Sequence, residues 1–204
     1  MSKPLIVIGD IHGAAKTLFA LVTRYPDHTP ILLGDLVDRG PDSRSVVEWV
    51  MKNRVQCVMG NHEHLLVDHY TSGMEYIPGT WKQNGGTKTI KSWHGRVPRE
   101  VVMWMKALPL HIIPPEYPDL LISHTGHGLI TSESQHSIQD ALWCRDYSYP
   151  KDGLYRILGH NKEKEPRVTE TFAMIDTGAA YPGYGKLTAM LWPSREVVQQ
   201  DYCD

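Results

Sequence analysis

Short runs of aliphatic and β-branched residues recur along the chain, and each stops at a glycine or a small polar residue: Leu5–Ile8, Ile31–Leu33, Val55–Met59, Leu120–Ser123, Tyr155–Leu158, Phe172–Ile175 and Leu187–Leu191. Runs of this length with such boundaries predict buried strands. Between the first three, the apolar positions change to helical spacing. Ala15, Leu18, Phe19 and Val22 follow i, i+3, i+4, i+7, and Val46, Val47, Trp49 and Val50 form a second apolar face. Asp42 or Ser43 can cap that second helix, since a side-chain oxygen there satisfies a free N–H of the first turn. Strand alternating with helix in this first part predicts parallel strands with right-handed crossovers. The quick succession of later strands predicts an antiparallel or mixed arrangement. The expected class is layered α/β.

From about residue 64 to 118 the strand rhythm stops, and Trp81, Trp93 and Trp104 fall in this stretch. It reads as a helical insertion. Val101, Trp104, Met105 and Leu108 give it one amphipathic helix, with Pro98 near its start and Pro109 after its end. Aromatic residues at helical spacing are read as core packing.

Composition narrows the class. The 204 residues suit one domain, 1–204, with room for that insertion, and the first apolar run ends too soon for a signal-peptide core. No run approaches the ~18 apolar residues that cross a bilayer. The expectation is a cytoplasmic protein without a membrane partner. Twenty-one basic and 23 acidic side chains leave a formal charge of −2 with no like-charged block, so no nucleic-acid partner is expected either. Cys57, Cys144 and Cys203 are odd in number and widely spaced, which argues against a disulfide framework or a thiolate metal site. The 11 histidines matter more, because neutral imidazole is a common metal ligand and a near-neutral proton carrier.

Three of the predicted strands end in polar clusters that resemble one another, namely Gly9-Asp10-Ile11-His12-Gly13, Gly34-Asp35-Leu36-Val37-Asp38-Arg39-Gly40 and Gly60-Asn61-His62-Glu63. His124 and His160 follow two later strands in the same way. In an open α/β sheet the carboxyl ends of parallel strands share one edge, where ligands bind, so these groups are expected to converge. Carboxylate, imidazole and amide oxygen without thiolate suit a hard-to-borderline divalent ion such as manganese, iron or zinc. One shared carboxylate lets such a set hold two ions. A pair ~3.5–4 Å apart acidifies a bridging water and grips a phosphoryl group during in-line displacement.

GDIHG, GDLVDRG and GNHE, in that order and at these spacings, resemble the phosphoprotein phosphatase branch of the calcineurin-like metallophosphoesterases. SHTG, LWCR (Leu142–Arg145), GHN and IDTGA (Ile175–Ala179) resemble its compact phage-lambda-type and bacterial members, so the likeness runs from about Leu5 to Leu191. It implies a four-layer α/β/β/α sandwich with mixed sheets and a short helical insertion. It also implies that Asp10 and His12 hold a first metal, that Asp35 bridges, and that Asn61, His124 and His160 complete a second. Two divalent ions are expected, manganese first, with iron or zinc possible. By the same resemblance His62 is the general acid, oriented by Asp38, while Arg39 and Arg145 grip phosphate oxygens. The chain departs from the family pattern at Thr125 and Asn161, neither of them a ligand position. His127 lies close enough to His124 to compete for its role; His124 is preferred because it leaves the strand directly.

The implied activity is hydrolysis of phosphomonoesters, first of phosphoserine and phosphothreonine in proteins, with phosphotyrosine, aryl phosphates and phosphorylated small molecules as further substrates. Hydrolysis of dinucleoside polyphosphates such as diadenosine tetraphosphate is the alternative. A non-catalytic scaffold on the same fold is disfavoured, since His62, Asp38 and all the ligand positions are retained. Asp176-Thr177-Gly178 also matches an aspartic-protease tripeptide, but that chemistry needs two carboxylates sharing a proton and no second copy exists. The tripeptide is read as a strand-end turn bordering the site, with Tyr181 and Tyr184 as candidate pocket residues.

Overall fold

The structure is a computed structural model that describes residues 3–72, 80–126, 138–146, 152–181, 183 and 185–204. Two five-stranded mixed sheets pack face to face. The first has the order β10-β9-β1-β2-β3, with β1 at Leu5–Ile8, β2 at Thr29–Leu32, β3 at Gln56–Cys57, β9 at Lys186–Trp192 and β10 at Glu196–Asp201. The second has the order β4-β5-β6-β8-β7, with β4 at His111–Ile112, β5 at Leu120–Ser123, β6 at Tyr155–Leu158, β7 at Arg167–Val168 and β8 at Phe172–Met174. Strands β1, β2 and β3 run parallel, as do β5, β6 and β8, while β9 and β10 close the first sheet antiparallel.

The period of two along each strand sorts the core. On β1, Leu5 and Val7 face the second sheet and pack with Ile31, Leu120, Ile157 and Met190. Ile6 and Ile8 face the other way, into a layer of helices. That layer includes α1 (Ala15–Thr23), α2 (Ser43–Asn53), α3 (Asn61–Thr71) and α5 (Arg99–Lys106); α4 (Thr87–Ser92) packs on α2, and α6 (Ile138–Trp143) touches α3. A strand buried on both faces has no polar side to show, which is why β1 reads as an unbroken apolar run. Each Leu, Ile or Val so buried contributes ~1.5–3 kcal/mol. Asp42 is the cap of α2, its side chain accepting the Ser45 N–H at 3.0 Å.

Two boundaries differ from expectation. Strand β4 lies inside the stretch read as free of strands, and it pairs antiparallel with β5, so the helical excursion ends before residue 111. It also begins earlier than a break at 64 suggests, because α3 starts at Asn61 and runs through that point. Strand β3 shrinks to two residues, and among the described residues no helix is long and apolar enough to cross a membrane.

Candidate dinuclear metal site

All six parallel strands deliver their carboxyl ends to one edge. Asp10 and His12 follow β1, Asp35 and Asp38 follow β2, Asn61 and His62 follow β3 at the start of α3, His124 follows β5, His160 follows β6 and Asp176 follows β8. The chain is packed so closely there that two of the glycines leave no room for a Cβ. A Cβ on Gly159 would stand 2.1 Å from Asp10 Oδ1, and one on Gly60 would stand 2.2 Å from Asp35 Oδ1. His12, Asp35, Asp38, Arg39 and His160 all hold positive φ, between 47° and 72°. Left-handed backbone at residues other than glycine is strained, and strain of this kind gathers where a site dictates side-chain direction.

The donor atoms point inward as two groups sharing one carboxylate. His12, Asp35 and His62 offer atoms that lie within 4.8 Å of one another, and Asp10, Asp35 and His124 do the same. Asp35 Oδ2 stands 3.5 Å from His12 Nε2 and 3.9 Å from His62 Nε2, while its Oδ1 stands 3.5 Å from His124 Nε2. Second contacts orient the rings. His12 Nδ1 donates to the Val37 carbonyl at 2.9 Å, and His124 Nδ1 donates to the Leu33 carbonyl at 2.7 Å. Each ring therefore turns the lone pair of Nε2 to the centre, the tautomer a metal ligand needs.

Asn61 directs Oδ1 at both His124 Nε2 and His160 Nδ1, 3.0 Å from each. At His124 this sets lone pair against lone pair in a buried place, an arrangement that a cation satisfies and a neutral protein does not. The Nε2 atoms of His62 and His160 are buried without a hydrogen-bond partner. Asp10 accepts the His160 N–H on both oxygens, at 3.3 and 3.2 Å. The residues therefore fit divalent cations by donor type, burial and tautomer.

Electrostatics follows from burying these charges together. Burial, then Asp176, then Asp35 push the Asp10 carboxyl well above its usual range. Burial and the neighbouring Asp35 also raise Asp176. Burial alone would raise Asp35, but His124, His62 and His12 outweigh it and hold that carboxyl low. Burial and His62 hold His12 far below the ordinary imidazole value, and burial with His124 lowers His160 to about 3, so both are neutral near pH 7. For His62, burial opposes the charge, yet Asp35 and Asp38 outweigh it and the imidazole pKa rises.

His62 Nδ1 donates to Asp38 Oδ2 at 2.6 Å. Arg39 is exposed and donates from Nη1 to His12 Nε2 at 2.6 Å. Arg145 is also exposed and reaches the site's border through Asn161 Oδ1, at 3.2 Å. Lys162 Nζ lies 4.0 Å from the centre of the Tyr181 ring, whereas His127 and Tyr184 fall outside the described residues.

Four residues take a part at the site that the sequence alone does not assign to them. Glu63 is fully buried and binds the main-chain N–H of Asp35, Leu36 and Gly60 at 2.7, 2.8 and 3.0 Å. Trp81 and Thr89, from the helical insertion, both donate to the Asp38 carboxylate. Asp176 opens the expected turn after β8, its Oδ1 accepting the Gly178 N–H at 2.9 Å, and its charge also raises the Asp10 carboxyl. Glu63 could have been suspected from its place three residues past Gly60, where a carboxylate binds back to the start of its helix.

Residues 3–181 match the family of calcineurin-like phosphoesterases. The chain belongs to that family. It is 28% identical to the asymmetrical bis(5'-nucleosyl)-tetraphosphatase PrpE of Anoxybacillus flavithermus, across 94% of this chain and 91% of that one. It is 27% identical to serine/threonine-protein phosphatase 1 of Salmonella typhimurium, across 87% of each. Among solved structures it superposes on one provisionally assigned as a diadenosine tetraphosphatase, with a TM-score of 0.77 and 19% identity over 100% of this chain and 96% of that one. A protein serine/threonine phosphatase of Saccharomyces cerevisiae superposes with a TM-score of 0.60 and 14% identity, over 98% and 80%. At such identities the structural likeness concerns the fold. The chain is thus a metallophosphoesterase, an enzyme that hydrolyses phosphoesters.

Proposed function

We propose that this enzyme hydrolyses phosphomonoesters of alcohols, phosphoserine and phosphothreonine in proteins above all. In this reading Asp10 and His12 would hold one divalent cation and Asn61, His124 and His160 a second, with Asp35, common to both converging donor groups, shared between them. Manganese is the first choice, with iron and zinc behind it. When bound, two such ions supply an acidified water as nucleophile and positive charge against the phosphoryl oxygens. Arg39 faces the Nε2 of His12 at 2.6 Å; with that nitrogen engaged as a ligand, the guanidinium would be free for substrate. Arg39 and Arg145 grip the phosphate, for which a planar fork of donors is suited.

The observation that carries the reading is the pairing of His62 with Asp38. One imidazole nitrogen is fixed on a buried carboxylate at 2.6 Å, and the other is buried, unpartnered and aimed at the ligand cluster. A serine alkoxide leaves badly unless it is protonated, and a raised imidazole pKa beside a carboxylate keeps that proton available near neutral pH. A nucleoside polyphosphate leaves without needing a proton. So well supported an acid therefore favours alcohol esters.

The second reading, diadenosine tetraphosphate hydrolysis, rests on the PrpE relative, which matches a larger share of this chain than the protein phosphatase does. Side-by-side measurement of kcat/KM on a phosphoserine peptide and on diadenosine tetraphosphate, with manganese added, decides between them. Turnover of the dinucleotide alone overturns the first reading, and phosphatase activity that survives exhaustive chelation overturns the metal mechanism common to both.

A further inference from the structure

The helical insertion does more than cover the sheet. Trp81, Gly85 and Thr89 stand four residues apart, and all three meet the segment Asp38–Arg39. Trp81 Nε1 lies 3.0 Å from each Asp38 carboxylate oxygen. Thr89 Oγ1 donates to Asp38 Oδ1 at 2.5 Å and accepts the Asp38 N–H at 2.9 Å. The Gly85 carbonyl accepts the Arg39 N–H at 3.4 Å.

Asp38 and Arg39 are consecutive residues with φ of 72° and 63°. Each costs ~1–2 kcal/mol in that conformation and persists only where several contacts impose it. The glycines of the insertion make those contacts possible. A Cβ on Gly85, itself at φ +109°, would fall 2.6 Å from Arg39 N, and one on Gly86 would fall 2.5 Å from the Trp81 ring. Trp81 and Thr89 are both fully buried, so their donors have no water to compete with them.

We propose that Trp81 and Thr89 are positioning residues for the general acid: their donors lock the Asp38 carboxylate, and the locked carboxylate aims the His62 imidazole at the departing oxygen. This rests on the reading of His62 as the acid. Asp38 carries four lone-pair directions, and His62 takes only one of them. Without the indole and hydroxyl donors the carboxylate can turn about its own bonds, and the imidazole turns with it. The arrangement reaches across 43 and 51 residues of chain, so the insertion and the catalytic loop must fold together for the acid to be set.

The test compares the manganese-loaded wild type with Trp81→Phe, Thr89→Val and Thr89→Ser on a phosphoserine peptide and on p-nitrophenyl phosphate. The Phe and Val variants are expected to lose ~10-fold or more in kcat on the peptide at near-constant KM, and less than ~3-fold on the aryl ester, whose leaving group needs no proton. Thr89→Ser keeps the hydroxyl and restores kcat. Equal losses on both substrates, or full peptide turnover in Thr89→Val, overturn the proposal. His62→Asn separates it from the reading beneath it. If that variant treats the two substrates alike, the acid assignment fails; if it is selective while Thr89→Val is not, only the positioning role fails.

A second readout needs no turnover and serves if Trp81→Phe does not fold or the peptide is not a substrate. The His62 Nδ1 proton gives a downfield NMR signal, identified by its loss in Asp38→Asn. It is expected to shift or broaden in Thr89→Val and to return in Thr89→Ser. A signal unmoved by Thr89→Val overturns the proposal.

Discussion

The carboxylate of Glu63 accepts the main-chain N–H of Asp35 at 2.7 Å, so a residue that touches no candidate ligand atom holds the loop that carries the shared one. Its two oxygens take two further N–H groups, from Leu36 and Gly60. Burial and the nearby charge of Asp35 push its pKa up to about 7, against the pull of these donors. Glutamine has the same shape but only one acceptor oxygen, and its amide hydrogens would face N–H groups. Glu63→Gln is therefore expected to lower unfolding free energy by ~2–4 kcal/mol, one or two buried donors being left unpaired. Urea unfolding checks this, and a loss below ~0.5 kcal/mol would mean that the loop does not depend on Glu63.

Asp35 belongs to both groups of converging donors, whereas each of His12 and His124 belongs to one. Loss of its charge should weaken both cation positions at once. Asp35→Asn is expected to bind less than about one ion per chain, where the wild type binds about two, and to lose at least ~1000-fold in turnover. Elemental analysis after gel filtration in manganese gives the stoichiometry. Two ions retained in the variant would assign the bridge to another residue, and Asp10 would then be the candidate.

The start of α1 lacks a cap of its own, because Ala14 has no side chain able to accept a hydrogen bond. Asp204 fills the role from the far end of the chain. Its carboxylate accepts the N–H groups of Lys16 and Thr17 at 2.8 and 2.9 Å, and the Thr17 hydroxyl at 2.7 Å. A negative charge at a helix N-terminus is favourable both as acceptor and through the helix dipole. Asp204→Ala should destabilise the fold by ~1 kcal/mol, within the range of lost caps, while leaving kcat unchanged. Thermal melting reads the first effect, and an unshifted melt would make the contact dispensable.

What could be read in advance tracks how locally each feature is encoded. Strands β1, β5 and β6 were legible to the residue because they are buried on both faces and carry no polar stripe. Strand β10 carries no such signal: in Glu196-Val197-Val198-Gln199-Gln200-Asp201 only Val198 is buried, as befits an edge strand. Strands β4 and β7 are two residues long, too short for any period to show. The candidate site was legible because its donors sit next to strand ends, where a glycine marks the turn. Its supports were not. Trp81 reads as core from its spacing and is indeed buried, with its ring 5.7 Å from that of Tyr70, but nothing near it in sequence announces that its indole N–H meets Asp38. His62 and Asp38, 24 residues apart, were paired only through the family resemblance.

His160 ties stability to pH. Its imidazole titrates at about 3 in the folded chain, because burial and His124 oppose its charge, against an ordinary 6.5. Between those values the unfolded chain binds a proton that the folded chain refuses, so stability rises with pH across the window and is lost as pH falls below 6.5. His12, also held low, adds in the same direction, while the raised carboxyls of Asp10 and Asp176 act against it. The contribution of His160 alone is isolated by difference. Chelator-treated wild type should lose stability from about pH 6.5 to about pH 4.5 more steeply than chelator-treated His160→Asn, by up to ~1.4 kcal/mol per pH unit. Urea midpoints measured at half-unit intervals give both slopes. Parallel curves would mean that the imidazole accepts its proton in the folded state after all, and with it that His160 is not held neutral for a cation.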